Sequence, residues 1–236
     1  MTSVAAAEQS VRRSGALMGV ALLLLAGIYV RAIAFTPIEA TQGPAQKIFY
    51  VHVPSAWVAF LAFGLVGVCS VLYLIMRDAR LDRFAACSAE VGTVFTTGVL
   101  LTGPMWGKPI WGTWWTWDAR LTSTLFLWFI FFGYLVLRGA VHEPGQRARF
   151  SAVLGILGAL LVPFIHVSVY LFRTLHPQPV VLKPEGPTLP GSMLATLLAS
   201  FAVFTFFFVT LVWQRYAQAV LQEARALDLE EREERR

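Results

Sequence analysis

Two histidines and a cluster of tryptophans hold most of the chemistry this chain can offer. His52 lies in "YVHVPSAW" and His176 in "TLHP". Between them, "MWGKPIWGTWWTWDARLT" places Trp106, Trp111, Trp114, Trp115 and Trp117 within about a dozen residues, five of the chain's eight tryptophans. With an unperturbed pKa near ~6.5, an imidazole is mostly neutral at pH 7 and can give a lone pair to a transition metal. An indole supplies a large flat apolar face and one N–H donor. A ligand suited to both is broad, flat and apolar, with a polar edge and a coordinating metal.

Haem has those properties, and it asks a protein for an apolar face, an axial ligand and cations for its two propionates. His52 and His176 are therefore expected as axial ligands of haem iron. Trp106, Trp111, Trp114, Trp115 and Trp117 are expected as its platform. Lys108 and Arg120 bracket the tryptophans and Arg173 stands three residues before His176, so all three are candidate propionate partners. Asp118 shares the sign of the propionates; its place in the set is to orient Arg120, an indole N–H or the loop backbone. The competing role of the tryptophans is an interfacial belt, and that of the cations is snorkelling. A belt spreads its aromatics over many segments, which accounts poorly for five in one loop. If the stretch is helical, Trp111, Trp114, Trp115 and Asp118 share one face, and Pro104 and Pro109 start any such helix after Pro109. Pro54 and Pro177, close behind the two histidines, favour extended backbone before them.

These residues need a scaffold, and composition indicates its kind. Hydrophobic residues make up 57% of the 236, charged residues only 14%, and the mean hydropathy is +0.63. Soluble domains carry about a quarter charged residues. Six apolar runs reach the ~20 residues that span a bilayer: 15–35, 55–76, 84–103, 121–138, 150–172 and 192–213. The expected fold is an all-α integral membrane protein, a bundle of six transmembrane helices over 1–214 with a charged helical tail over 215–236. Arg12, Arg13 and "AIA" at 32–34 resemble a secretory signal. The apolar run between them exceeds a typical signal core, so it is expected as a retained first span.

Basic residues orient the bundle. Thirteen of the 19 lysines and arginines fall on the side of the termini, against six on the other (Arg31, Lys47, Lys108, Arg120, Arg173 and Lys183). Both termini are therefore expected in the cytoplasm. The outward loops, about 36–54, 104–120 and 173–191, then carry His52, the tryptophans and His176 on one side. The pI near 9.6 follows from this topology; the surroundings implied are membrane lipid, with no nucleic acid. Cys69 and Cys87 fall in spans, without the spacing for thiol exchange or covalent haem attachment, and read as packing residues. No Walker A sequence occurs, so ATP-driven work falls to a partner, and no catalytic residue is assigned. His142 reads as solvated. His166, three residues after Pro163, reads as bonded to a carbonyl freed by the kink, Glu90 as a packing or ion-pair residue, and the tail as a solvated helix.

The string Trp111-Gly112-Thr113-Trp114-Trp115-x-Trp117-Asp118-x-Arg120-Leu121-Thr122 resembles the tryptophan-rich WWD motif of haem-handling proteins in cytochrome c biogenesis. With six spans and the sequences around His52 and His176, nearly the whole chain resembles the cytochrome c maturation protein C family (CcmC, haem exporter protein C). The resemblance implies haem b as a transferred ligand, held at the periplasmic face of the bacterial cytoplasmic (inner) membrane. It implies delivery to a periplasmic haem chaperone (CcmE-like). It also implies a complex with ABC-type ATPase and permease subunits and a small single-span subunit (CcmD-like). In that family the two outward histidines are regarded as axial ligands and the tryptophan motif as the platform, matching His52, His176 and Trp111 to Asp118. Rival expectations are a transporter carrying haem through the bilayer, an electron-transfer subunit, and a purely structural subunit of an ATP-driven complex.

Overall fold

At a rise of 1.5 Å per residue, ~20 helical residues cross a ~30 Å hydrocarbon core, and helices satisfy their own backbone groups there. The chain meets that demand six times. A computed structural model describes residues 2–177, 181 and 186–235. Its elements are α1 (Thr2–Val30, continued by a π-helical turn over Arg31–Phe35), α2 (Phe49–Met76, entered through a 3-10 turn over Pro44–Ile48), α3 (Ala79–Trp111), α4 (Ala119–Ala140), α5 (Pro144–Leu171) and α6 (Gly191–Glu234). All six are long and apolar enough to cross a membrane, and no strand occurs among the described residues. This is the six-span helical bundle expected. Lys183, one of the six outward basic residues, lies outside the described residues.

Local chemistry sets the helix ends. α2 and α3 are separated only by Arg77, in the left-handed region at φ 57°, and Asp78, which accepts the Arg80 N–H. Asp118 accepts the Leu121 N–H at the start of α4. Glu143 does the same for Gly145 and Gln146 ahead of Pro144, a residue suited to a helix start. α1, α3, α5 and α6 overrun their apolar runs on the side of the termini, because charged residues there remain good helix formers beyond the bilayer.

The core is centred on one stacked pair. Phe63 of α2 stacks on Phe131 of α4 with centroids 3.7 Å apart and an 11° interplanar angle, among fully buried Val66, Leu127, Tyr134 and Ile165. Small residues let the backbones approach. A Cβ on Gly67 would stand 2.5 Å from the Ala159 Cβ, one on Gly92 2.8 Å from the Ala62 Cβ, and one on Gly158 2.6 Å from the Phe131 ring. Polar ties hold the end of the bundle on the side of the termini. Arg138 grips Asp82 through two bonds of 2.6 and 2.9 Å and lies 5.7 Å from the Tyr134 ring centroid. Glu90 pairs with Arg215 at 2.6 Å, the local ion pair anticipated for it. α6 continues unbroken past residue 214, tied to α1 and α3 through Arg225–Glu8 at 2.8 Å, Arg83–Glu223, and the Trp213 N–H on Ser10 at 3.1 Å.

Neither methyl at the Gly67–Ala159 crossing can rotate aside, so Gly67→Ala forces α2 and α5 apart. Overpacking of this kind costs ~1–3 kcal/mol. We expect a lower melting temperature for Gly67→Ala in detergent and partial recovery on adding Ala159→Gly; equal melting of all three proteins would contradict the close approach.

Candidate functional site

A cavity of about 880 Å³ opens at the outer end of the bundle, within the ~300–1,000 Å³ common for small-ligand sites. Its walls come from α2, α3, α4, α5 and α6, the 112–118 loop, and His176 with Pro177 beyond α5. His52, Trp106, Trp111, Trp114, Trp115, Arg120, His166 and His176 all line it. The two outward histidines therefore share one space.

His52 sits in the first turn of α2 with helical backbone, which corrects the extended conformation expected ahead of Pro54. Tyr50, Pro54 and Val58 are buried on one face of that helix, and their packing outweighs the proline's preference at the residues before it. Burial fixes the ring. Its Nδ1 lies 2.9 Å from the Thr102 hydroxyl of α3, and Trp106 packs edge-on with centroids 5.7 Å apart. Gly103 supplies clearance, since a Cβ there would stand 3.3 Å from the His52 Cε1. Trp106 is itself held, its N–H donating to Gln42 at 3.1 Å.

The tryptophan stretch corrects a second expectation. α3 passes through Pro104 and Pro109 and ends at Trp111, so a helix stops at this point instead of starting. Gly112, at φ 75°, takes the left-handed turn that glycine allows, and its N–H reaches back to the Lys108 carbonyl at 3.0 Å. Residues 112–118 are irregular. Trp111, Trp114 and Trp115 thus meet along a cavity wall through a loop and not through one helical face. Gly107 makes room for Trp111, because a Cβ would lie 2.9 Å from its ring. Trp117 is 76% exposed and packs edge-on against Trp115, centroids 5.7 Å apart, outside the lining. Lys108 is also outside it, its ammonium donating to the Gly112 carbonyl at 2.9 Å. Arg173 is exposed and away from the cavity.

Where Arg120, an indole N–H or the loop backbone was anticipated for Asp118, the structure gives it two threonine hydroxyls and a helix-capping N–H. Besides capping α4, its carboxylate accepts the Thr116 hydroxyl at 3.1 Å and the Thr174 hydroxyl at 2.8 Å. The Thr174 oxygen in turn accepts the His176 N–H at 3.0 Å. Asp118 therefore ties the tryptophan loop to the backbone of the second histidine. The His176 ring lies 6.4 Å from Trp111, centroid to centroid, and its Nδ1–H donates to the Pro177 carbonyl at 2.9 Å. A carbonyl only accepts, so Nδ1 keeps the proton and Nε2 keeps a free lone pair. Burial first, then the neighbouring Arg120 guanidinium, pushes the His176 imidazole down from 6.5 to about 4; the Pro177 carbonyl and Asp118 oppose the shift.

Two buried donors in this wall lack a partner among the described residues: Arg120 Nη1 and Trp115 Nε1. Arg120 is also the one charged side chain among the lining residues described. Buried unpaired donors are costly, and a carboxylate at the cavity wall would satisfy both. Among the described residues no three His, Cys, Asp or Glu side chains converge as a bare metal site would need. His166 lines the same cavity with an exposed side chain and no hydrogen bond among the described residues, unlike the proline-freed carbonyl bond expected for it. An ionisable residue inside a span was the only signal for it. Thr102, Gly103 and Thr174 gave no such signal, since threonine and glycine recur throughout the chain and only the fold sets these beside the imidazoles.

Comparison with known proteins follows the same lines. The family model described as CcmC, heme exporter protein C, matches residues 2–230. Heme exporter protein C of Bradyrhizobium diazoefficiens is 41% identical over 190 residues, 80% of this chain and 72% of the relative. The Haemophilus influenzae protein of that name is 35% identical over 202 residues, 86% of this chain and 82% of its own length. A putative cytochrome c biosynthesis ccmC-like mitochondrial protein of Marchantia polymorpha is 36% identical over 201 residues, 85% and 84% of the two chains.

The position of His176 carries a pH signature. Its folded-state pKa lies below the unfolded value, so between about 6.5 and 4 the unfolded chain binds more protons, and this group's effect on stability turns unfavourable as pH falls through that window. We expect 15N-histidine NMR of the ligand-free protein to show His176 neutral at pH 5.5 and titrating near 4, with Arg120→Gln moving it upward. Titration near 6.5 in the unsubstituted protein would contradict the enclosed, cation-flanked setting.

Proposed function

This chain belongs to the haem exporter protein C family, and on that premise we propose that it binds haem b at the periplasmic face of the bacterial cytoplasmic membrane and passes it to a periplasmic haem chaperone. The observation that carries this reading is the convergence of His52, His176, the indole wall and the unpartnered Arg120 on one outward cavity. His52 and His176 would supply imidazole ligands to the iron. Trp106, Trp111, Trp114 and Trp115 cover the porphyrin faces, while Arg120 Nη1 and Trp115 Nε1 receive propionate oxygens. Asp118 holds the loops that bring His176 to this position. Lys108 and Trp117 belong to the rim, where Trp114 and Trp117 present exposed indoles to an incoming partner. The chain supplies binding and release, with no bond-making step of its own. ABC-type ATPase and permease subunits and a small single-span subunit complete the complex, and residues 215–236 form its charged cytoplasmic extension.

The alternative, passage of haem through the bilayer by this chain, has the depth of the cavity in its favour. The lining runs from Leu197 to Val209 along α6, roughly 18 Å at 1.5 Å per residue. Below it, however, the stacked Phe63 and Phe131 with buried Tyr134 fill the bundle. That packing favours a receptor loaded from the outer half of the membrane or from its surface.

Absorption spectra of the purified protein test the reading. Wild type should carry haem with a six-coordinate, bis-histidine spectrum in ferric and ferrous states. His52→Ala and His176→Ala should each lose that spectrum and load the chaperone about tenfold less or worse, and Arg120→Gln should weaken haem retention while leaving the ligand set intact. Unchanged spectra in both histidine variants would overturn the axial assignment.

A further inference from the structure

We propose that Thr102 is a positioning residue for His52, accepting the Nδ1–H of its imidazole so that an unprotonated Nε2 faces the cavity. The iron that Nε2 would meet rests on the haem reading above; the placement of the proton does not.

The Thr102 hydroxyl proton is already engaged within α3. Its oxygen lies 2.7 Å from the Gly98 carbonyl one turn back in α3, with a looser approach of 3.5 Å to Val99. A carbonyl can only accept, so the hydroxyl hydrogen is committed to Gly98, and the oxygen turns lone pairs toward His52. The imidazole nitrogen facing it at 2.9 Å is Nδ1. A lone pair against a lone pair would repel, and the contact is favourable only if Nδ1 carries the proton. In a neutral imidazole that leaves Nε2 as the acceptor.

α3 builds the rest of the seat. Gly103, the next residue, leaves room for the ring edge, and Trp106, one turn on from Thr102, closes against its side. His176 reaches the same tautomer by another device, the Pro177 carbonyl. One imidazole is thus set by a hydroxyl from a neighbouring helix and the other by its own backbone, and only the first can be altered by a side-chain substitution. Partners on the far nitrogen of a ligand histidine fix its orientation and raise its basicity, and removing them commonly costs ~10–100-fold in metal affinity.

The test has two arms. In ligand-free protein at pH 7, 15N-histidine NMR should show His52 protonated at Nδ1 in wild type and in Thr102→Ser, and as a mixture of tautomers in Thr102→Val. In haem titrations, Thr102→Val should weaken binding ~10–100-fold and raise the midpoint potential of the bound haem, with Thr102→Ser restoring both. The proposal is overturned if wild-type His52 carries its proton on Nε2, or if Thr102→Val keeps the wild-type tautomer and potential. Should Thr102→Val fail to fold, wild type and Thr102→Ser decide the tautomer between them. If wild type shows the expected tautomer yet never holds bis-histidine haem, the haem reading fails and the positioning of His52 stands.

Discussion

One carboxylate holds the outer surface of this protein together. Asp118 caps α4, takes the Thr116 hydroxyl from the tryptophan loop and takes the Thr174 hydroxyl from the segment after α5. Two adjoining elements and a third 56 residues further on therefore meet on two oxygens. Because Thr174 also accepts the His176 N–H, the carboxylate acts on the second histidine without touching its ring. Bonds to an ionised acceptor are roughly twice as strong as neutral ones, which suits a tie that must order irregular loops lacking helical bonds of their own.

The two histidines are held to different degrees. His52 belongs to a helix buried in the bundle, with a hydroxyl, an indole and a glycine shaping its seat. His176 stands on a loop, secured through Thr174 and its own Pro177 carbonyl. Local opening costs least where few apolar contacts and little secondary structure oppose it. Of the two, the side of His176 is the one whose release disturbs the least packing.

Much of this could be read from the residues. Six apolar runs of bilayer length define the bundle, and arginine placement puts His52, the tryptophans and His176 at one end of it. The helix ends were less legible, because proline's aversion to helix is a tendency that packing overrides. Pro54, Pro104 and Pro109 all lie inside helices, so the tryptophan stretch became the loop after a helix instead of the start of one. Lys108 and Arg120 looked equivalent as charges flanking indoles. Their difference arises from a single turn at Gly112, which draws the Lys108 ammonium onto a carbonyl and leaves Arg120 facing the cavity. Thr102 and Thr174 were invisible for a related reason: a hydroxyl acquires its role from the neighbour the fold gives it.

The unbroken run of α6 has a mechanical consequence. Its 44 residues make a rod of about 66 Å, roughly twice the hydrocarbon thickness. One part of that rod, from Leu197 to Val209, walls the cavity, while its far end projects among the charges tied to α1 and α3. With no proline inside it to absorb a bend, a sideways push at the projecting end becomes a tilt along the whole shaft, and the wall at the opposite surface must swing with it.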